Sequence, residues 1–324
     1  MSRSGALLAV LARGASLAVL LIAWELSARA QFVSDFLLPA ASAVAERIVA
    51  DALSGDLLRS LGLTLYRALC GFALAASGGV ALGIMIARIA WELSARAQIV
   101  SDFLLPAASA VGARVAADAF SGELVRGLGL TLYRAVLGFA LAAFGGVALG
   151  IMIARIGAVR WFFDPLVSIG MPMPKIAFLP VFMLWFGLFD VSKILMVAFA
   201  AIFPVIVASW SATDGVDKFL IWSARSAGAG ERRLLWEIVL PAALPQIMTG
   251  LQVALPIALI VTIVCEMAMG GEGLGGSIMK DMRFADSPGV FAGIVEIALA
   301  GAVLVKAMEL LRRRLLLWHQ EAKR

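Results

Sequence analysis

Few side chains in this 324-residue sequence could perform chemistry, and their spacing argues against catalysis. There is one histidine, His319, near the C-terminal end. The two cysteines, Cys70 and Cys265, lie far apart in apolar stretches and read as small buried hydrophobes rather than a disulfide or a metal pair. The glycine-rich GGEGLGG at 270–276 lacks the lysine of a G-x-x-x-x-G-K-[ST] phosphate loop, so it reads as a turn. No nucleophile–base pair and no metal-ligand spacing occurs, so catalytic residues, a resident cofactor and a metal are not expected. Two acids stand out because their surroundings are apolar. Glu296 is costly to bury and implies a polar pathway or a paired partner. Glu266 opens EMAMGGEG at the end of an apolar segment and reads as gate or helix-end structure before solute contact. Pro172, Pro174 and Pro180 interrupt the apolar stretch 164–187, where prolines free backbone carbonyls that can line a cavity; simple kinks are the alternative. Lys306 and Glu309 are expected to snorkel towards an interface.

The one long polar run in the second half covers 213–245, between segments long enough to cross a membrane. Spans need only a few joining residues, so a partner in water is expected to use it. Asp214 and Asp217 stand where acidic side chains suit the positive end of a helix dipole. A short helix should run to about Ala227, and Gly228-Ala229-Gly230 should turn the chain. A second short helix is expected over Glu231 to Val239, stopped by Pro241. The face formed by Ala224, Ala227 and Gly228 is nearly bare of side chain and could lie deep in a partner's groove, with Leu220 or Ile221 as apolar anchor. An amphipathic helix resting on lipid headgroups fits the same residues. Arg225, Glu231, Arg232 and Arg233 would supply polar contacts or simply be solvated.

The elements that position these residues follow from composition. Hydrophobic residues make up 62% of the chain and charged ones 15%, against roughly 25% charged in ordinary soluble domains. Apolar candidates for spans are 6–26, 68–89, 135–156, 164–187, 190–211, 246–268 and 288–311. They are too long and too free of charge for barrel strands, so an all-α polytopic bundle of six or seven transmembrane helices is expected. The net charge of +5 comes from arginines at span ends rather than from a basic stripe, which argues against nucleic acid. Arg3 and Arg13 before an apolar run resemble a signal peptide, but the run continues through Trp24 and Leu26 and reads as a retained span.

The first third is duplicated. The segment starting at Trp24 recurs at Trp91, an offset of 91 − 24 = 67, with 54 of 66 aligned positions identical. Two nearly identical copies fit a recent duplication, or an assembly artefact, better than a solenoid. Charge bias does not choose between the copies, because Arg29, Arg47, Arg59 and Arg67 in one match Arg96, Arg114, Arg126 and Arg134 in the other. Arg312, Arg313, Arg314, Lys323 and Arg324 make the tail cytoplasmic, and the 213–245 loop, two spans back, shares its side. That places 94–134 outside and makes 71–93 a hybrid first span, with the N-terminus outside and seven spans in all. One early segment lying flat or re-entering is the alternative. The expected division is 1–89, with the first copy, and 90–324, with the loop.

Gly228, nine residues, then Ile238-Val239-Leu240-Pro241 resembles the cytoplasmic signature of bacterial ABC importer permeases: Glu-Ala-Ala, three residues, Gly, nine residues, Ile-x-Leu-Pro. PMPKIAFLPVFMLWFGLFDVSKI (172–194), VLPAALPQIMTGLQVAL (239–255) and EMAMGGEGLGGSI (266–278) resemble the sulfonate/nitrate/taurine-type subfamily. The resemblance covers about 90–318, and removing one repeat leaves 324 − 67 = 257 residues, the size of a whole permease. It implies a type I importer fold in the bacterial cytoplasmic (inner) membrane. It implies an ATP-binding subunit, in two copies, that binds the ATP and receives the loop. It also implies a second permease subunit and an extracytoplasmic solute-binding protein. Docking carries over to Ala224, Gly228, Ile238, Leu240 and Pro241. Where the signature's glutamate would stand the chain has Trp222, and Ser223 replaces the first alanine. A self-sufficient secondary transporter or channel would need ionisable residues along several spans, and a membrane scaffold would recruit a partner through the loop without transport.

Overall fold

In the computed structural model, residues 3–30, 34, 37–85 and 106–317 are described, and all their regular structure is helical. The helices are α1 (Arg3–Arg29), α2 (Ala41–Leu53), α3 (Asp56–Met85), α4 (Ala108–Ser121), α5 (Glu123–Arg155), α6 (Gly157–Gly170), α7 (Leu179–Phe186) and α8 (Asp190–Asp214). They continue with α9 (Lys218–Ser226), α10 (Glu231–Arg233), α11 (Leu240–Met269), α12 (Leu274–Arg283) and α13 (Ser287–Leu315). Among the described residues, four stretches are long and apolar enough to cross a membrane: α5, α8, Glu231–Met269 and α13. The expected spans 190–211, 246–268 and 288–311 fall within them, and 135–156 does so but for its last residue, Ile156, which lies just beyond α5. The expected span 164–187 is not one straight helix. It is α6 followed by Lys175–Phe186, bent by 96° at the segment holding Pro172 and Pro174. A proline lacks the N–H of a helix ladder and disfavours helical angles in the residue before it, so two prolines this close end α6. Side chains of the expected span 6–26 before Ala15, those of the hybrid span 71–93 beyond Ala73, and His319, Lys323 and Arg324 lie outside the described residues.

The chain forms two compact units, Ala18–Gly112 and Met1–Leu17 with Ala113–Arg324. In the first, Glu25 accepts hydrogen bonds from the Ser42 amide at 3.0 Å and hydroxyl at 2.8 Å, and Trp24 Nε1 donates to the Pro39 carbonyl at 2.9 Å. These ties fix the end of α1 against the start of α2.

In the second unit, the most extensive helix contact is α5 on α8. Gly138, Ala142, Gly146 and Gly150 recur every four residues on α5 and are buried. A Cβ added to Gly138 would stand 2.5 Å from Val197 Cγ1, and one on Gly146 2.8 Å from Val205 Cβ. Lipid tails are as apolar as leucine, so helices in a bilayer associate by close packing, and a small-residue stripe allows it. Met196, Val197, Ala200, Ala201 and Val205 of α8 then meet Ala254, Ala258 and Cys265 of α11 in one buried cluster. The outward residues Val253 and Ile260 of α11 and Ile294, Val295 and Leu299 of α13 are large and apolar, as a lipid-facing surface requires.

Both copies of the duplication fold locally alike: Gly55 and Gly122 each adopt φ +83° between a short helix and a long one. Their surroundings differ. On α5 the face Thr131, Arg134, Ala135 and Gly138 is buried, whereas the matching Thr64, Arg67, Ala68 and Gly71 of α3 are exposed. The same difference corrects the expectation for Cys70, which is exposed on α3, while Cys265 is buried.

Candidate functional site: the 213–245 loop and the opposite end of the bundle

The loop forms as a helix with defined caps. The Asp217 carboxylate accepts from the Phe219 amide at 2.9 Å, satisfying one of the free N–H groups at the start of α9. At the other end the Gly228 amide donates to the Arg225 carbonyl at 2.9 Å and the Ala229 amide to the Ala224 carbonyl at 3.0 Å. This bond pair with a left-handed residue is a Schellman cap, and Gly228 supplies it at φ +83°. No atom lies within 4 Å of where a Gly228 side chain would begin, so the position is open as well as left-handed.

Beyond the turn, Glu231 bridges two arginines, accepting from Arg225 at 2.7 Å and from Arg155, the last residue of α5, at 2.9 Å. The bridge fastens the loop to the end of the α5 span. Ile221, Ala224, Ile238 and Leu240 pack inward on a cluster around Val216, Leu234, Val239 and Ile247. Leu220, Ala227 and Gly228 are exposed, as are Arg225, Glu231, Arg232 and Arg233. Trp222 is 57% exposed and stacks edge-on against Phe219 with ring centroids 5.5 Å apart. The candidate residues thus divide: Ala224, Ile238 and Leu240 seat the loop on the bundle, while Leu220, Trp222, Arg225, Ala227 and Gly228 face away from it.

Pro241 does not stop the second helix, contrary to expectation. The backbone widens to a π segment over Leu234–Val239 and runs on into α11, with Pro241 in its first turn. A proline inside a helix clashes with the carbonyl four residues back, and the wider π turn at Glu237 relieves that clash.

At the other end of the bundle, Glu266 is fully buried in the last turn of α11. Its Oε1 accepts from Arg134 Nη1 at 2.6 Å, its Oε2 from the Gly275 amide at 3.0 Å, and Thr131 Oγ1 donates to it at 2.9 Å. The Leu274 amide in turn donates to Thr131 Oγ1 at 2.9 Å. Arg134 also pairs with Asp190 at 2.7 Å and donates to the Glu272 carbonyl at 2.6 Å; Lys193 donates to the Gly270 carbonyl at 2.9 Å. Every member has partners, as charges held out of water require. Gly273, at φ +124°, has no room for a side chain because Glu266 occupies the space. GGEGLGG is therefore a turn clamped by the Arg134–Glu266 pair, tying α5, α8, α11 and α12 together. Glu266 has the geometry of helix-end structure. Arg134 is not a flanking charge, as the sequence suggested, but 4% exposed within the bundle.

Glu296 lies apart from this network. It is 5% exposed on α13, and its Oε1 has no hydrogen-bond partner among the described residues. Nearby, Arg114 pairs with Asp118 at 3.1 Å, Asp286 at 2.7 Å and Asp281 at 3.6 Å. Burial pushes the Asp281 carboxyl above its usual range; Arg114 opposes this, and Asp286 and Asp118 add to it. Pro172 and Pro174 sit at the α6–α7 bend, remote in sequence from both acids. Lys306 and Glu309 form an exposed ion pair at 3.4 Å. Among the described residues no group of three or more histidine, cysteine, aspartate or glutamate side chains could hold a metal.

Residues 146–317 match the family described as binding-protein-dependent transport system inner membrane component. The chain belongs to this family. This permease is 34% identical over 240 residues to the putative aliphatic sulfonates transport permease protein of Bacillus subtilis (strain 168), covering 74% of the chain and 87% of the relative. It is 31% identical over 238 residues to the taurine transport system permease protein of Escherichia coli (strain K12), covering 72% and 86%. In fold the permease is similar to a chain of the MetNI methionine ABC transporter solved in inward-facing conformations. That match has a TM-score of 0.53 and 18% identity, over 61% of this chain and 98% of that one. The permease is thus a multi-pass, all-α transport component, and relatives of this kind are not enzymes.

Proposed function

We propose that the chain is the membrane-spanning subunit of an ATP-driven importer of small organic anions of the sulfonate class, in the bacterial cytoplasmic membrane. The observation that carries the substrate class is the match to two sulfonate-type permeases along most of their length. ATP is bound and hydrolysed by a separate subunit, in two copies. Two permease subunits line one pathway, and an extracytoplasmic binding protein delivers the solute. Docking falls to the outward face of α9 and its turn, where Leu220, Ala227 and Gly228 leave a low surface and Arg225 offers a charge. The shared apolar cluster of Ile221, Ala224 and Ile238 with Val147 of α5, edged by the exposed Glu231–Arg155 pair, supports a firm link, so that movement of the ATPase pair is passed to α5 as a rigid-body rotation.

Uptake of radiolabelled taurine and ethanesulfonate by cells lacking the gene tests the substrate class. Loss of ATP-dependent uptake of either, restored by the intact gene, is expected. Unchanged uptake of both overturns the assignment.

A further inference from the structure

A cavity of about 310 Å³ opens among α4, the start of α5, α12 and α13, at the end of the bundle away from the 213–245 loop. Glu296 lines it from about two and a half turns inside α13. The side chain is 95% buried, yet Oε1 meets no donor among the described residues. No cation among the described residues pairs with this carboxyl, and a buried charge needs a partner, so a positive group from outside the chain is the economical counter-charge. The cations in the wall cannot supply it as placed. Arg114 is committed to Asp118, Asp281 and Asp286, and Arg126 is paired with Glu272. Glu123 and Asp281 add further acidic lining, whereas Lys280 stands exposed at the rim. The site is bipolar, with a carboxyl deep in it and an ammonium group at its edge.

We propose that this cavity is a solute subsite in which Glu296 is the counter-ion for a primary ammonium group and Lys280 receives an anionic end of the same small molecule. The ligand class is a short amino-sulfonate or comparable zwitterion. The assignment rests on the transport reading above and deepens it, placing a selectivity element in the membrane subunit. An ammonium in the cavity pairs with the Glu296 carboxyl from the side that lines it, a counter-charge that no ion pair among the described residues provides. A solute without an amine gains nothing there.

The test is equilibrium binding of radiolabelled taurine to the purified full chain in lipid nanodiscs, with ethanolamine, ethanesulfonate and sodium chloride as competitors. Saturable binding displaced by ethanolamine and not by equimolar sodium is expected. Glu296→Gln should weaken taurine and ethanolamine at least about tenfold while leaving ethanesulfonate unchanged, the loss of one charge-assisted hydrogen bond. Lys280→Ala, on an exposed side chain, should weaken taurine and ethanesulfonate but not ethanolamine. Absence of saturable taurine binding overturns the proposal. So does a Glu296→Gln protein, monodisperse and melting like the parent, that binds taurine and ethanolamine equally well. Sodium competing as strongly as ethanolamine overturns the ammonium assignment. Because binding is read without ATP, intact cellular uptake alongside any of these results sinks the subsite and spares the transport function.

Discussion

Replacing Arg134 with methionine isolates the worth of the charge network at the GGEGLGG turn. Arg134 is 4% exposed and Glu266 is fully buried, and they meet at 2.6 Å. Arg134→Met leaves the Glu266 carboxylate with only Thr131 and the Gly275 amide, and removes the ties to Asp190 and the Glu272 carbonyl. Removing one partner of a buried pair costs about 3–5 kcal/mol, because the other charge stays buried and uncompensated. Glu266→Gln should cost less, about 1–3 kcal/mol, since Arg134 keeps Asp190 and the amide can still accept. The double variant should fall short of the sum by more than about 1 kcal/mol, as for residues in one network. Steric-trap or SDS-titration unfolding in mixed micelles reads these values. The duplication supplies an internal control: Arg67 matches Arg134 by sequence but is exposed, so Arg67→Met should shift stability by no more than about 0.5 kcal/mol. Strict additivity, or equal effects at 67 and 134, would refute the account.

Two further outcomes follow from packing and surface. Gly146→Leu should weaken the α5–α8 contact by about 1–3 kcal/mol or prevent folding, because a Cβ there already sits 2.8 Å from Val205; the matching change Gly129→Leu, at a glycine with no neighbour, should be neutral in the same unfolding assay. Trp222→Ala should leave stability within about 1 kcal/mol, given its exposure, yet reduce recovery of the ATPase with the tagged permease; unchanged recovery would remove Trp222 from the docking surface.

Much of the loop was legible because its features are local. Spacing placed the turn at Gly228, and the Schellman bonds occur there; Asp217 caps the helix it was expected to start. Pro241 misled because whether a proline ends a helix depends on the turn before it, and a π segment has no sequence mark of its own. The bend in 164–187 was signalled by Pro172 and Pro174, but apolar length outweighed them. The Arg134 network was missed for a different reason. An arginine near a span end looks like a flanking charge, and only tertiary packing reveals that Glu266, 132 residues away, faces it. Thr131 and Arg134, polar and three apart on one helical face, were the available signal. The two repeats make the limit plain: near-identical sequence lies buried on α5 and exposed on α3, so burial here is a property of neighbours.

The proposed contact between the loop and the ATP-binding subunit is open to direct measurement. Its decisive measurement is recovery of the ATP-binding subunit with tagged permease for the parent, Gly228→Asn and Gly228→Trp. The turn needs a left-handed residue, and asparagine tolerates that conformation at small cost, so Gly228→Asn should keep the fold and most of the recovery. Gly228→Trp strains the left-handed turn by about 1–2 kcal/mol but meets no neighbour within the chain; it fills the low surface at α9, and should abolish both recovery and ATP-driven uptake while the membrane bundle melts within a few degrees of the parent. Full recovery and uptake with tryptophan at this position would contradict the account.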